Sequence, residues 1–417
     1  MDPRLRSLSK KEEKQPMDSI PTLMGLNGLI YKVPMDSSLS VQRNLQTFNF
    51  DSTSYNNSSP SMSVNFQAGS GFINCATSYV AFTLQVDSKT VGSDYSFGIG
   101  SASNIFRTNI VTTRSGAEVD RFQNANVLLP QIHKGKNPSE WFKSVGALAG
   151  YGALNAADLS RVTGTAYQYV IPLSHFAGIF TSKQLMPSQL SSGMRLDCQL
   201  ESALTAITTA DTEVKYSITN PKLVLDVSIL SDGALAQLTQ QAGKNGLEYS
   251  FSTYANESST TTTTSVNVQF SRSVARALRC YVVPRPTANV GAQAADSFAT
   301  GVVPYSRVQF QIGSTYFPNR EIQNNAQVYA NLLQTLGQYS GHAFGDLNKE
   351  DFDAKGFAVA SSSFETSALI RASGTSVNNS RSLLINLTAD DVARDIQSYL
   401  EYQVILRANL ANVNVTS

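Results

Sequence analysis

The stretch VQFQIGSTYFPNREIQNNAQVYANLLQTLG (308–337) decides how the chain is read. Val308, Phe310 and Ile312 alternate with Gln309 and Gln311, the period of a strand with one buried face. Gly313-Ser314 breaks the strand, Pro318 stops it, and a helix is expected from about Arg320 to Leu336. Ala326, Tyr329, Leu333 and Leu336 recur at three- and four-residue spacing as its apolar stripe, and Gly337 ends it. A single helix late in an otherwise β-patterned region is an insert that covers a sheet end or edge.

Outward from this point the strand period dominates. Met62, Val64 and Phe66 alternate, as do Val80, Phe82, Leu84 and Val86. Met194, Leu196, Cys198 and Leu200 share one face, and so do Leu223, Leu225, Val227 and Ile229. After residue 246 the pattern restarts and closes with Leu400, Tyr402, Val404, Leu406 and Ala408. Such strands are half-buried and antiparallel. Between the blocks, SDGALAQLTQQAGKN (231–245) carries helix spacing, with Ser231 or Asp232 as cap and Gly243 as stop. The threonine run 257–265 reads as a loop or an edge. The stretch 175–191 is expected to hold a short helix matching the one near 320–336.

The expected fold is therefore all-β: two tandem eight-stranded sandwiches with short helical inserts and a helical linker. The expected boundaries are an N-terminal arm at 1–44, a first roll at 45–230, a linker helix at 231–246 and a second roll at 247–417. The arm is expected to be disordered or docked in an assembly. It lacks the apolar core of a signal peptide, and no apolar run is long enough to span a bilayer.

Chemistry is sparse. In 417 residues the net formal charge is +1 and charged residues are 15%, too balanced to neutralise a nucleic-acid backbone. Cys75, Cys198 and Cys280 are far apart inside apolar runs, which reads as buried thiols rather than disulfides. His133, His175 and His342 have no partner at metal-ligand spacing. Asp346, Glu350, Asp351 and Asp353 form what reads as a solvated acidic turn. GIGSAS (98–103) lacks the rest of a dinucleotide loop and reads as a turn. GALAGYGALNAA (146–157) reads as a close-packed connection. Arg272, Arg276 and Arg279 suggest the basic outward face of a strand at a subunit contact. Six Asn-x-Ser/Thr triplets, including that of Asn256, are treated as unused. No catalytic, cofactor-binding or metal-binding residue is assigned, and no enzyme is expected.

Five collinear segments resemble the double jelly-roll major capsid proteins of Polinton-like viruses, virophages and adintoviruses. SVNFQAGSGFINCATSYVAFTLQV (63–86) is similar to the family's first strands. NIFRTNIVTTRSGAEVDRFQNANVLLPQI (104–132) is similar to its strand, charged stretch and Asn-rich helix. YVIPLSHFAGIFTSKQLMP (169–187), the opening stretch and YLEYQVILRANL (399–410) follow in the family's order. The resemblance implies a capsid protein of an icosahedral double-stranded DNA virus, found in the virion and not secreted. It implies homotrimeric capsomers, six sandwiches per trimer, that tile a shell. The implied partners are neighbouring capsomers, a penton or vertex protein and minor capsid proteins, with the arm touching an internal membrane or genome. A minor capsid or vertex protein and a carbohydrate-binding β-sandwich stay open as alternatives.

Overall fold

The computed structural model describes residues 40–151, 161–187, 190, 192–242, 247–270, 272–339, 345–365, 374–378, 382–390, 392–408 and 413–416. Sixteen principal strands fall into two sets of eight. The first set is β1 Ser40–Asn49, β2 Ser61–Gln67, β3 Phe72–Asp87, β4 Phe106–Thr112, β5 Glu118–Phe122, β6 Ala166–Pro172, β7 Ser192–Leu200 and β8 Lys215–Leu230. The second is β9 Leu247–Thr261, β10 Ser265–Phe270, β11 Val274–Pro286, β12 Arg307–Ile312, β13 Thr315–Ile322, β14 Ala360–Ser363, β15 Leu383–Thr388 and β16 Arg394–Ala408. The first strand begins at Ser40, inside the stretch expected to be arm.

Each set makes two antiparallel sheets by one path. The first set gives β1-β8-β3-β6 and β2-β7-β4-β5; the second gives β9-β16-β11-β14 and β10-β15-β12-β13. Subtracting eight from each second-set number recovers the first path. This is the strand order of a jelly roll, and it occurs twice. The alternation produces it directly: Met194, Leu196 and Cys198 of β7 are buried, and so are Val308, Phe310 and Ile312 of β12. Phe82 of β3 meets Phe106 of β4 edge-on at 5.7 Å, so the two sheets of the first roll touch through their aromatic rings.

The helices repeat as well. Helix α1 (Ala125–Lys136) lies between β5 and β6. Helix α2 (Asp232–Ala242) links the two sets. Helix α3 (Asn325–Leu336) lies between β13 and β14, the position of α1 in the other roll, and α4 (Lys349–Ala354) follows it. The insert matching α3 is thus α1; the stretch 175–191 holds 3-10 turns, Leu173–His175 and Gly178–Thr181, and a helical residue at Leu190, with 188, 189 and 191 outside the described residues.

Three expectations about the opening stretch change. Pro318 does not stop the chain: β13 runs from Thr315 to Ile322. It is an edge strand, where a missing N–H costs no ladder bond, and the pairing with β12 slips between Val308 and Phe310. Helix α3 starts at Asn325, capped by Asn324, whose side chain accepts from Gln327 N. Its end is as expected, with Gly337 at φ 76°. Its buried face is Val328, Leu332, Thr335 and Leu336; Ala326 is exposed. Apolar residues cover more than one side of this helix, so spacing alone does not select the face. The threonine run extends the edge strand β9, paired with β16 as far as Thr261↔Arg394, before a turn.

Phe310 is fully buried whereas Leu45 on the edge strand β1 is 63% exposed. Phe310→Ala is expected to lower the unfolding free energy by about 3–5 kcal/mol. Leu45→Ala is expected to stay within about 0.5 kcal/mol. Urea denaturation of the two variants beside the parent chain checks both.

Candidate functional site: the seam between the two rolls

The richest concentration of long-range polar contacts lies where the first roll meets the second. β9 is an edge strand, and its free side is covered by β5 and by the 3-10 turn at 178–181. Gly178 permits the approach: a Cβ there would lie 2.2 Å from the carbonyl oxygen of Ser252. Asp120 of β5 is 3% exposed. Its carboxylate accepts from Ile179 N at 2.8 Å and from the Thr253 hydroxyl across the seam. These donors are neutral, so burial dominates and pushes the Asp120 carboxyl up to about 6, against the pull of the hydrogen bonds. Beside it Phe122 stacks on Tyr254 at 4.9 Å.

One turn further on, Asn124 caps the entry to α1 in a left-handed conformation, φ 48°. That backbone directs its side chain into the second roll, where Nδ2 donates to Asn256 Oδ1 at 2.9 Å and Gln397 Oε1 at 3.1 Å. The Tyr399 hydroxyl returns a bond to Asn124 O at 2.8 Å. Asn256, the opening residue of a glycosylation triplet, is therefore engaged in the seam.

Helix α1 then runs along the second roll. Gln131 donates to Phe298 O and Gly356 O, both at 3.2 Å. A Cβ on Gly135 would lie 2.3 Å from Leu336 Cδ1, so α1 and α3 are in close contact there, and a Cβ on Gly345 would lie 1.9 Å from Gly135 O. Lys134, 4% exposed in its side chain, pairs with Asp346 and lies 3.2 Å from Asp351 Oδ2. At the opposite end of the seam Asp296 Oδ2 accepts from Ile99 N at 2.6 Å, and burial raises its carboxyl. Tyr249 donates to Ile179 O at 2.7 Å.

Several sequence expectations change here. The acidic turn is not solvated as a whole: Asp351 is buried and held by Lys134 and Lys355. Arg279 pairs with Glu365 and Glu401 of its own chain, Arg276 donates to Gln403, and Arg272 lies over the Tyr402 ring. Each of the three thus has a partner within the second roll. His133 and His175 come together, ring centroids 4.2 Å apart, and His133 Nδ1 meets the Tyr151 hydroxyl at 2.6 Å. Burial drives the His175 imidazole down to about 3 and holds His133 well below its ordinary range. His342 lies outside the described residues. Trp141 packs in the same cluster against Tyr151, partly buried.

All three cysteines are free and buried, and burial pushes Cys75 up to about 12, so it is no nucleophile near neutrality. No group of three or more His, Cys, Asp or Glu side chains among the described residues is arranged to hold a metal ion. The seam is a structural joint. It fixes two jelly rolls against each other through neutral hydrogen bonds, close backbone approach and one buried ion cluster.

No protein-family model and no curated protein matches the chain. Solved structures do. A chain of the Sputnik virophage, from cryo-electron microscopy, is similar with a TM-score of 0.64 at 10% identity, over 92% of this chain and 90% of that one. The Faustovirus major capsid protein gives 0.63 at 10% identity, over 93% and 94% of the two chains. The mavirus major capsid protein gives 0.54 at 10% identity, over 97% and 96%. The chain has the double jelly-roll fold, over nearly its whole length.

Asp120 supplies a pH test. Its folded pKa, about 6, lies above the unfolded value near 3.9, so the folded state binds the proton more tightly. Its contribution is fully present below about pH 4 and is lost as pH rises through about 6. Between pH 4 and 7 the parent chain is expected to lose on the order of 2–3 kcal/mol relative to Asp120→Asn. Urea midpoints of both proteins across that range check it; parallel curves would refute it.

Proposed function

We propose that the chain is a major capsid protein whose three copies form a pseudo-hexagonal capsomer of an icosahedral double-stranded DNA virus. The supporting observation is the repeat itself. Two rolls with one strand path and equivalently placed helices are locked by a seam that leaves little freedom between them. Three such chains present six similar sandwiches around a threefold axis, and near-sixfold prisms tile a curved shell. A minor capsid or vertex protein with two β domains shares the repeat, and threefold against fivefold assembly separates the two readings. Two of the similar solved structures are major capsid proteins by name.

The chemistry of the surface agrees. Jelly rolls leave edge strands, and β1, β6, β10 and β13 sit at sheet edges where neighbouring copies can cover them. Exposed apolar residues such as Leu45, Val302, Tyr316 and Tyr339 are available to contacts between copies. A net charge of +1 lets many copies pack without strong mutual repulsion. Contacts within the trimer then bury an obligate-sized area, more than about 2,000 Å². Contacts between trimers can be small because the lattice makes them multivalent. The further partners of this reading are neighbouring capsomers, a vertex protein and minor capsid proteins, with the N-terminal arm reaching a membrane, genome or neighbour. No helix among the described residues is long and apolar enough to cross a membrane.

Sedimentation of the purified chain tests the assembly. A species of three times the 45.0 kDa chain mass is expected, with six-lobed outlines in negative stain. A persistent monomer or a fivefold ring would overturn the proposal.

A further inference from the structure

Lys134 stands in an unusual setting for a lysine. Its ammonium is almost sealed from water, with side-chain exposure of 4%. The Phe142 and Phe357 rings lie 5.9 and 5.8 Å from Nζ. Two carboxylates face it. Asp346 is in direct contact, and Asp351, with 2% side-chain exposure, lies 3.2 Å away. The partners come from opposite rolls, 212 residues apart in sequence.

The geometry fixes both reacting groups. Lys134 is carried by α1. The Asp346 backbone is pinned to the end of the same helix, its N–H donating to Asn137 O at 2.8 Å. The Ser139 hydroxyl donates to Asp346 Oδ1 and holds the carboxyl plane. Asp351 is held by α4, where the Asn348 side chain accepts its N–H at 2.8 Å. Neither oxygen of Asp351 makes an aligned hydrogen bond, although Lys134 and Lys355 stand 3.2 and 3.1 Å away. Asp351 Oδ2 lies within reach of Lys134 Nζ, where a carboxylate can relay a proton. An amine buried at 4% side-chain exposure and a carboxyl in contact with it at 25% have the proximity that amide formation needs.

We propose that Lys134 and Asp346 condense into an intramolecular isopeptide bond, with Asp351 as the proton carrier. A proton passes within the ion pair, leaving a neutral amine against a carboxyl group. The Nζ lone pair attacks Asp346 Cγ. Asp351 takes a proton from nitrogen and delivers it to the departing hydroxyl. The Cγ–O bond breaks, the Nζ–Cγ amide forms and one water leaves. No oxidant, reductant or co-reactant enters. The bond ties the first roll to the second at the point where α1 meets the 345–357 segment. It stands apart from the capsomer proposal and holds whatever the oligomeric state.

Intact-mass measurement of the purified, folded full chain tests it. The expected mass is one water below the sequence mass, with the Lys134 and Asp346 peptides joined after digestion. Under denaturing electrophoresis the parent chain is expected to run ahead of Lys134→Arg, which cannot form the amide. Asp351→Asn, which keeps both reacting groups, is expected to show the full sequence mass. A parent chain at full mass, or a water loss mapped to any other site, overturns the bond. A joined peptide pair in Asp351→Asn overturns the role of Asp351.

Discussion

The close approach of α1 to the second roll is the constraint on which the rest depends. Two sandwiches with independent cores can be joined by a flexible linker and remain free to rotate. Here Gly135 against Leu336 and Gly178 against Ser252 bring backbone within a side chain's width of the neighbouring roll. Once backbones are that close, every polar group between them loses water and must find a partner inside. Asn124, Asn256, Gln397 Oε1 and Gln131 Nε2 meet that demand with neutral bonds, while Gln397 Nε2 donates to Asp395 and Gln131 Oε1 has no partner among the described residues. Their geometry is satisfied in one relative placement of the rolls, so the joint specifies orientation as well as contact.

The fold was legible where one period extends over a whole strand. β7 alternates cleanly because it packs one face on a core, whereas β8 is buried without a break from Leu223 to Val227 and β16 from Ile396 to Tyr402. The two-roll plan followed from the restart of that pattern after residue 246. Legibility failed where the deciding partner is distant in sequence. Pro318 looks like a terminator until β13 is known to be an edge. The face of α3 is ambiguous because Ala326, Val328, Tyr329, Leu332 and Leu333 surround it, and its distant neighbours β14, α1 and α4 choose among them.

The seam was less legible still. Asp346 and Asp351 read as solvated because their cation lies in the other roll, at Lys134. Arg279 read as a surface charge because Glu365 and Glu401 are far along the chain. Spacing rules see partners three or four residues away and nothing at two hundred. The one local signal was an Asn before a glycine-containing helix, QNANVLLPQIHKGK at 123–136, which marks a capped helix with a place for close packing. It does not say what packs there.

The buried titrating groups near this joint oppose one another. His175 is held neutral, its pKa about 3, beside His133 and under the C-terminal half of α1. Its folded value lies below the unfolded one near 6.5, so its contribution is lost as pH falls from about 6.5 toward 3. Asp120 acts in the other sense, its contribution fading as pH rises from about 4 to about 6. Between pH 4 and 6.5 the two slopes have opposite signs and partly cancel. Most of the joint's polar contacts are hydrogen bonds between neutral groups, which do not titrate in this range. Amides and hydroxyls hold the two rolls in register without titrating, where an ion-pair network would titrate.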